Sequence, residues 1–462
     1  MNLRTEPLKI ANPTVIREHR NGYWLTADNP LGGAFGYIKC ETNMAGKLIL
    51  ELIDGRRDVN DIVSVLCTTY ELDVLAARGW ILEFVDEMIK RKVVTTQQNA
   101  THTPITVLGN GQNAFPAHVA IEVTESCNLK CSFCYLSAGP DKKDRLNWEE
   151  LIEFLDDLKA HGLTSISLTG GEYFLHPNAI DILSYCCREF PGVGILTNGT
   201  AIPRTAMDIL QNYKDQVTVS ISVDSVRPDL HNEIRGGKKA FQKTTKTIRE
   251  LAKRGIAVRV SSVITEQNMW EIHELAELAI SLGAIAFSFN FVESFGRGKN
   301  VRGADKGGAG QEYARYVSDV VEQYSEFIPI SKGEDLEKER LNCGAGISSV
   351  VIGADGSVRP CSLFPKSSKF KNIRDASLSS ILDEEIYRAI EKIPAPSEKY
   401  GCPLDCSKYD ECSGCYLRGL NANVDRTPDK YCNWIVQNRL EELIKLLRPE
   451  PVQVKIGPKP VS

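Results

Sequence analysis

Three cysteines lie close together in the segment TESCNLKCSFCYL, in the spacing C-x3-C-x2-C: Cys127, Cys131 and Cys134. Thiols at this spacing could form a disulfide, bind a zinc ion or supply three of the four ligands of an iron–sulfur cluster. A structural zinc site needs four ligands, and no Cys or His follows at the usual distance. A [4Fe–4S] cluster bound by three cysteines instead leaves one iron open. The triplet therefore favours a cluster with an open, reactive position.

The composition is that of an ordinary globular chain, long enough for two or three domains: 462 residues, 42% hydrophobic and 25% charged. The net charge of −5 gives no sign of binding to nucleic acid or to an anionic membrane. No apolar run reaches the roughly 18–20 residues of a membrane span, and the N-terminal residues lack the pattern of a secretory signal. We therefore predict a cytoplasmic protein. In that reducing compartment, fourteen cysteines are expected to be metal ligands more often than disulfides.

A second set of cysteines is confined to the last quarter of the chain: Cys343, Cys361, Cys402, Cys406, Cys412, Cys415 and Cys432. Four more are scattered, and we expect them to be small buried hydrophobic residues: Cys40, Cys67, Cys186 and Cys187.

Residues 1–100 have the pattern of a small α+β domain. Two short stretches, NGYWLTAD and AFGYIKCE, predict a hairpin, and three helical stretches follow. Gly55 is the expected C-cap of the first helix and Asp58 the expected N-cap of the second. Strands followed by three helices suggest a winged-helix-like unit. Residues 101–116 are predicted to be a linker.

From residue 117 to about 330, apolar β-rich runs alternate with helical stretches. The runs are HVAIEVT, SISLT, GVGILT, VTVSISV, AVRVSSVI and AIAFSFNFV. This alternation predicts an α/β fold with a parallel sheet that is closed or partly closed into a barrel. In such sheets the chemistry collects at the carboxyl ends of the strands, and the cysteine triplet follows the first run.

Residues 331–462 are rich in Cys, Gly and Pro, and NWIVQNRLEELIKLL predicts one final helix. The apolar periodicity of this segment is too weak to predict a conventional core, so we expect bound metal to take its place.

The triplet, with Phe133 before its last cysteine and a strand in front of it, resembles the radical S-adenosylmethionine (radical SAM) superfamily. The segment SLTGGEYFLHP resembles the end of the second strand in that superfamily. The resemblance implies a partial (β/α)6 barrel, a [4Fe–4S] cluster on the three cysteines and bound S-adenosylmethionine. It also implies that Gly170 and Gly171 allow a close approach to this cofactor, and that Glu172 receives its ammonium group.

The segments ILTNGT and SISVDS resemble the ends of the third and fourth strands of the same superfamily. By this resemblance, Ser222 and Arg235 are candidates for contacts to the cofactor's ribose and carboxylate. Asn198 and Asp224 are further candidates, although either could instead cap a turn.

The C-terminal cysteines resemble the SPASM domain, which carries auxiliary [4Fe–4S] clusters. The compact group CPLDCSKYDECSGC reads C-x3-C-x5-C-x2-C and departs from the common spacing C-x2-C-x5-C-x3-C, although the central interval is retained. By position, one auxiliary cluster would bind Cys402, Cys406, Cys412 and Cys432. The other would bind Cys343, Cys361 and Cys415. The second set has three evident ligands, so its cluster either has an open iron for a substrate thiolate or is completed by another residue.

The first hundred residues resemble the PqqD-like peptide-recognition domain, which implies binding of a leader peptide by β-augmentation. A winged helix for DNA is disfavoured by the charge. All three parts in this order resemble the maturases of sactipeptides and ranthipeptides, as do the stretches NMWEIHELA and SFGRGK.

This family resemblance implies an enzyme that forms thioethers between Cys sulfur and carbon in a ribosomally made precursor peptide, through a 5′-deoxyadenosyl radical. It implies three [4Fe–4S] clusters and an external electron donor such as flavodoxin or ferredoxin. A carbon–carbon cross-linking or epimerising peptide maturase remains the alternative. A sulfatase-type maturase, or a non-catalytic iron–sulfur scaffold or regulator, is disfavoured by the N-terminal domain and by the intact triplet and TGGE motifs.

Overall fold

The computed structural model describes residues 5–12, 14–19, 22–28, 37–108, 115–303, 310–325, 341–365 and 370–447. Parts of the predicted linker and of the predicted C-terminal segment lie outside these ranges, and the side chain of Cys40 is not among those described. Within these ranges, no helix combines the length and the apolar character needed to cross a membrane.

The N-terminal part contains the predicted hairpin and the predicted helices. Its strands are β1 (Lys9–Ile10), β2 (Thr14–His19), β3 (Gly22–Asp28), β4 (Tyr37–Thr42), β5 (Val94–Thr95) and β6 (Ile105–Leu108). Its helices are α1 (Met44–Leu52), α2 (Val59–Tyr70) and α3 (Val74–Lys90). The larger sheet has the order β4-β3-β2-β6, and β1 pairs with β5. β6 lies inside the predicted linker and runs parallel to β2.

The helix boundaries of this part confirm one predicted cap and correct the other. Asp58 forms a capping box with Asp61. The Asp58 side chain accepts a hydrogen bond from the Asp61 N–H, and the Asp61 side chain accepts one from the Asp58 N–H. Gly55 does not cap α1, which ends at Leu52 with Ile53 as its cap. Gly55 instead adopts a φ of +81° in the following turn, where its N–H donates to the Leu8 carbonyl.

The central part alternates strands and helices as predicted. Its strands are β7 (His118–Glu122), β8 (Ser165–Thr169), β9 (Gly192–Thr197), β10 (Val217–Ser222), β11 (Ala257–Ile264) and β12 (Ala286–Phe291). Its helices are α4 (Trp148–Ala160), α5 (Ala179–Glu189), α6 (Arg204–Asn212), α7 (Pro228–Arg235), α8 (Ala240–Lys253), α9 (Ile272–Ser281) and α10 (Gly310–Tyr324). These strands are all parallel to their neighbours, so their carboxyl ends meet at one edge. The α/β fold with a partial barrel is confirmed.

The C-terminal part continues the same sheet. Its strands are β13 (Ser349–Ile352) and β14 (Val358–Arg359). Its helices are α11 (Leu378–Leu382), α12 (Glu385–Ile390), α13 (Tyr409–Cys412), α14 (Tyr416–Asn421), α15 (Asn433–Gln437) and α16 (Glu441–Leu447). β13 pairs parallel with β7 and antiparallel with β14, which gives the order β12-β11-β10-β9-β8-β7-β13-β14 in the described residues. The first strand of the barrel is therefore an interior strand.

Two expectations for the C-terminal part are wrong. The predicted final helix is interrupted between α15 and α16, where Arg439 has a φ of +54°. The part also has a conventional apolar core, because Ile352, Ile381, Leu420 and Trp434 are buried in one cluster that includes the barrel core. The sequence hides this core because each of its helices is too short to display a helical repeat.

Two of the scattered cysteines are buried as predicted, whereas Cys67 is only partly buried. Cys186 and Cys187 are buried in the barrel core, and Cys67 packs against the separate core of the N-terminal part. The predicted domain boundaries at residues 100, 116 and 330 remain predictions.

Candidate metal centres

The cysteine triplet lies on the loop that follows β7. Cys127 and Cys131 are buried and Cys134 is partly buried. The loop is fixed to the end of α7 by backbone hydrogen bonds, from Lys130 N to the Arg235 carbonyl (3.1 Å) and from Ser132 N to the Ile234 carbonyl (2.9 Å). The triplet is therefore held at the carboxyl edge of the parallel sheet, as predicted for the chemistry of this fold.

Gly170 and Gly171 bring the end of β8 against the cysteine loop. A Cβ atom at Gly170 would lie 2.4 Å from the Thr124 carbonyl oxygen, and one at Gly171 would lie 2.5 Å from that of Ser126. Gly170 also has a φ of +141°, which disfavours any other residue. The Gly171 N–H donates to the Thr124 carbonyl at 2.7 Å. The two glycines thus permit contact between the backbones of two loops, and their predicted approach to a cofactor remains a prediction.

The Glu172 carboxylate is buried and binds the end of β9. It accepts hydrogen bonds from the Thr197 hydroxyl (2.7 Å), the Asn198 N–H (2.9 Å) and the Phe174 N–H (3.2 Å). Burial raises the pKa of Glu172, whereas these donors oppose the rise. In the structure Glu172 therefore positions Asn198, and its predicted contact with an ammonium group remains a prediction.

Asn198 and Arg235 place N–H donors on two of the three sulfur atoms. Asn198 Nδ2 lies 3.9 Å from the Cys127 sulfur, and Arg235 Nη1 lies 3.7 Å from the Cys131 sulfur. The Arg235 guanidinium also lies 5.3 Å from the centre of the Phe133 ring. Hydrogen bonds to sulfur tune the reduction potential of iron–sulfur clusters, so both side chains are suited to that task.

Asp224 holds Arg235 in place. Its carboxylate pairs with Arg235 and accepts from the Val263 N–H at 2.9 Å, and its side chain is fully buried. Its own N–H donates to His231 Nδ1 at 3.2 Å. Ser222 is the last residue of β10 and is partly buried at the same edge of the sheet. The structure thus places the predicted residues of the barrel site at the carboxyl edge of the sheet, and their roles toward a cofactor remain predictions.

The three thiols of the triplet are ligands of the type that a [4Fe–4S] cluster takes. Burial raises the pKa of the Cys127 thiol to about 12, and a bound metal would hold it as thiolate. No described cysteine forms a disulfide. Among the side chains that the structure describes, no three Cys, His, Asp or Glu residues converge closely enough to hold one metal ion. A four-iron cluster spreads its thiolates more widely, and three cysteines would hold it with one iron open.

Sequence reasoning missed Arg297, which clamps the triplet loop. Its Nε donates to the Cys131 carbonyl at 2.7 Å and its Nη1 donates to the Ala138 carbonyl at 2.9 Å. The neighbouring Gly296 lies so close that a Cβ atom there would be 2.5 Å from the Cys134 carbonyl oxygen. The stretch SFGRGK resembles the maturases, but its spacing does not indicate which residues Arg297 contacts.

A buried ion pair between Glu122 and Arg359 was also missed. Their side chains are 1% and 2% exposed, although the residues are 237 positions apart. The Tyr135 hydroxyl donates to the Glu122 carboxylate at 3.1 Å, and Arg359 Nη1 donates to the Phe364 carbonyl at 3.0 Å. Tyr135 follows Cys134, and Arg359 comes two residues before Cys361. The pair therefore connects the triplet loop with the segment of a predicted auxiliary ligand.

Six of the seven C-terminal cysteines lie near at least one other member of their predicted group. Burial raises the pKa of the Cys361 thiol to about 12, and the nearby Cys415 and Cys343 add to this rise. Burial likewise raises the pKa of Cys402, with smaller contributions from Cys432 and Cys406. These neighbours are the partners that the SPASM resemblance assigns. Their roles as cluster ligands, and that of Cys412, remain predictions.

Two cavities adjoin these groups. The larger, of about 600 Å³, lies at the carboxyl end of β12 and is lined by Phe291, Glu293, Phe295, Cys412, Arg418 and Arg426. Arg418 pairs with Glu293 beside it, with one N–O distance of 2.8 Å. The smaller, of about 440 Å³, has walls from the triplet loop, including Tyr135 and Leu136, and from Ser362 and Leu363 beside Cys361.

Comparison with protein families gives a match for each of the three parts. Residues 121–279 match the radical SAM superfamily, and residues 343–416 match SPASM, an iron–sulfur cluster-binding domain. Residues 39–94 match coenzyme PQQ synthesis protein D. These matches confirm the three resemblances inferred from the sequence.

Similar proteins extend the match over most of the chain. The antilisterial bacteriocin subtilosin biosynthesis protein AlbA of Bacillus subtilis is 36% identical over 422 residues, covering 91% of this chain and 93% of that protein. The sporulation killing factor maturation protein SkfB of the same organism is 29% identical, covering 56% of this chain and 63% of that protein. The crystal structure of Streptococcus suis SuiB bound to precursor peptide SuiA aligns with a TM-score of 0.63 and 18% identity, covering 92% of this chain and 98% of that one. This last likeness shows a shared fold.

We predict that breaking the buried ion pair lowers the stability of the protein by a large amount. Replacing Glu122 with Gln leaves the Arg359 cation buried without its counter-ion, which should lower the free energy of unfolding by about 3–5 kcal/mol in a denaturant titration. Glu150→Gln is the matched control, because Glu150 pairs with Arg374 at 2.7 Å while both are about 40% exposed. That control should cost at most about 1 kcal/mol. Equal losses in the two variants would contradict a structural role for the buried pair.

We predict that the protein loses stability in acid because His231 is buried in its neutral form. Burial lowers its pKa to about 4, below the ordinary value of 6.5. Between these pH values the unfolded chain binds a proton that the folded chain does not, so stability falls as the pH drops from about 6.5 to 4. The contribution is about 3 kcal/mol. In the His231→Gln variant, the number of protons taken up on unfolding in this pH range should fall by close to one. The pH dependence of the free energy of unfolding measures this number. An unchanged pH dependence would contradict the prediction.

Proposed function

Since this chain belongs to the radical SAM peptide maturases related to the subtilosin and sporulation killing factor maturation proteins, we propose that it forms thioether cross-links between Cys sulfur and carbon in a ribosomally made precursor peptide. The observation that carries this proposal is the arrangement of two cysteine groups, the triplet and the Cys361 group, on either side of one buried ion pair. One group suits the cofactor and the other suits a substrate thiolate.

The cofactors would supply the bond-breaking chemistry. When bound, a [4Fe–4S] cluster and S-adenosylmethionine supply a carbon radical that takes a hydrogen atom from the peptide. We propose that Cys127, Cys131 and Cys134 hold this cluster, with Asn198 and Arg235 donating to its sulfur ligands. Gly170, Gly171, Glu172, Ser222 and Asp224 would surround S-adenosylmethionine at the strand ends.

The C-terminal cysteines would hold two auxiliary clusters, which brings the proposed total to three. We propose the ligand sets Cys402, Cys406, Cys412 and Cys432, and Cys343, Cys361 and Cys415. The second set would leave an iron for the sulfur of a peptide cysteine. The proximity of Cys361 to Cys415 and Cys343 supports this grouping.

The precursor peptide would use two surfaces of the chain. Its leader would add a strand to β4, which is one of the two edge strands of the larger N-terminal sheet in the described residues. Its modified segment would enter the cavity of about 600 Å³ at the end of β12, where Phe291 and Phe295 offer apolar contacts and Arg418 offers a charge. We propose that the reaction takes place in the cytoplasm and that an external protein supplies the electrons.

The mass of the peptide product tests the reaction. We expect a short Cys-containing precursor peptide to be encoded beside this gene. Coexpression with that peptide should remove two hydrogens for each modified cysteine and make those thiols resistant to alkylation. Tandem fragmentation then identifies the acceptor carbon. An unchanged thiol count, with altered mass or stereochemistry elsewhere, would replace the thioether proposal with a carbon–carbon cross-linking or epimerising maturase.

The triplet variant tests the assignment of the cofactor site. Replacing Cys127, Cys131 and Cys134 together with Ala should abolish cleavage of S-adenosylmethionine by the reduced protein, since the cluster loses all its protein ligands. The auxiliary iron should remain, as measured by iron content and by electron paramagnetic resonance. Cys67→Ala is the control, because Cys67 packs against the N-terminal core. This variant should change neither the cleavage of S-adenosylmethionine nor the iron content. Continued cleavage in the triple variant would refute the assignment.

A further inference from the structure

A strongly basic segment lies beside the triplet, and its charged side chains take no part in the site described above. Residues 238–254 contain a single carboxylate, Glu250, in a chain whose net charge is −5. Their cations are Lys238, Lys239, Lys243, Lys246, Arg249, Lys253 and Arg254. Glu250 lies 3.6 Å from Arg254, which offsets its charge. The segment is therefore a local reversal of the charge of the whole chain.

The helix α8 and its N-cap residue Lys239 place five of these cations on one exposed face. Its buried face consists of Ala240, Thr244, Thr245, Ile248 and Leu251. The exposed residues Lys239, Lys243, Lys246, Arg249 and Lys253 follow one another three or four positions apart, which is the spacing of one helical face. We call these five residues the basic stripe. Like charges at this spacing destabilise a helix, so folding alone does not account for the stripe.

The basic stripe begins at the cysteine triplet. Ala240, the first residue of α8, packs in one small apolar cluster with Cys127, Leu129 and Cys131. The Thr244 hydroxyl donates to the Asn198 carbonyl at 2.8 Å. A partner seated on the exposed face of α8 would thus be separated from the triplet by little more than the first turn of this helix.

We propose that the basic stripe is the docking surface for the electron donor, a small acidic electron-transfer protein of the flavodoxin or ferredoxin class. This inference rests on the proposed function, which requires a reductant for the triplet cluster. In each transfer the reduced donor loses one electron and the cluster gains it. Complementary charge brings the partners together quickly and lets them separate again, as a transient redox encounter requires.

The position of the stripe favours this partner over the precursor peptide. Electron transfer slows steeply with distance, and the stripe starts against the residues that pack on Cys127 and Cys131. The proposed peptide cavity lies elsewhere, at the end of β12 and beside Cys412. A surface reserved for the reductant leaves that cavity free for the substrate.

The test is charge reversal on the exposed face of α8. In the reconstituted holoenzyme, the triple variant K239E/K243E/K246E should reduce the rate of cluster reduction by flavodoxin hydroquinone, or by reduced ferredoxin, about tenfold or more at low ionic strength. Stopped-flow absorbance measures this rate, and calorimetry with the oxidised donor measures binding. The wild-type rate should fall with added salt, whereas the rate of the variant should depend little on salt.

A matched control and a chemical reductant separate the possible failures. The variant K90E/K392E/K399E makes the same charge change at exposed lysines outside α8, and its cluster should be reduced at the wild-type rate. With dithionite, which needs no docking surface, the α8 variant should cleave S-adenosylmethionine as the wild type does. If the wild type itself fails with dithionite, the proposed function fails.

Two results would overturn the docking proposal. One is equal reduction of the α8 variant and the wild type by both protein donors. The other is a loss of precursor-peptide binding in the α8 variant while reduction by the donors is unchanged, which would assign the stripe to the peptide.

Discussion

The buried ion pair between Glu122 and Arg359 constrains the position of the cysteine triplet relative to the segment that carries Cys361. Neither charge can be buried without the other, because an unpaired ion in the interior costs several kcal/mol. Glu122 ends the first barrel strand, and Arg359 lies on β14 in the C-terminal part. The pair therefore couples the stability of the barrel to that of the C-terminal part. Since Tyr135 also donates to Glu122, the same pair sets the position of the loop that follows Cys134.

A second constraint is the contact between backbones at the triplet. Gly170 and Gly171 touch residues 124–126 so closely that no side chain fits between them. The Arg297 side chain fastens the other end of the loop to the end of the barrel. With Glu172 holding Asn198 and Asp224 holding Arg235, each donor to a sulfur atom is itself fixed by a buried carboxylate. The loop is thus preorganised by neighbours from several strands, which is what a cluster with one open iron requires.

The sequence predicted those features that are local along the chain. The six barrel strands are continuous apolar runs, and the triplet and TGGE motifs are short, so both can be read without knowledge of the fold. Contacts across long separations could not be predicted: Glu122 and Arg359 are 237 residues apart, and Arg297 reaches Cys131 across 166 residues. The core of the C-terminal part was missed for a related reason. Its helices, such as α14 and α15, are too short to show a repeat, and Trp434 and Leu420 are buried against elements from elsewhere in the chain.

Any enzyme with a buried redox centre must meet two requirements, and the two faces of α8 each serve one of them. The centre has to be shielded from water, and an electron has to reach it from outside. The inner face of α8 serves the first requirement, since Ala240 covers the cysteine loop and Thr244 holds the Asn198 backbone. Its outer face is rich in cations and poor in carboxylates, which suits the second. Because the two faces belong to one rigid element, a partner on the outer face comes close to the centre without any opening of the loop that protects it.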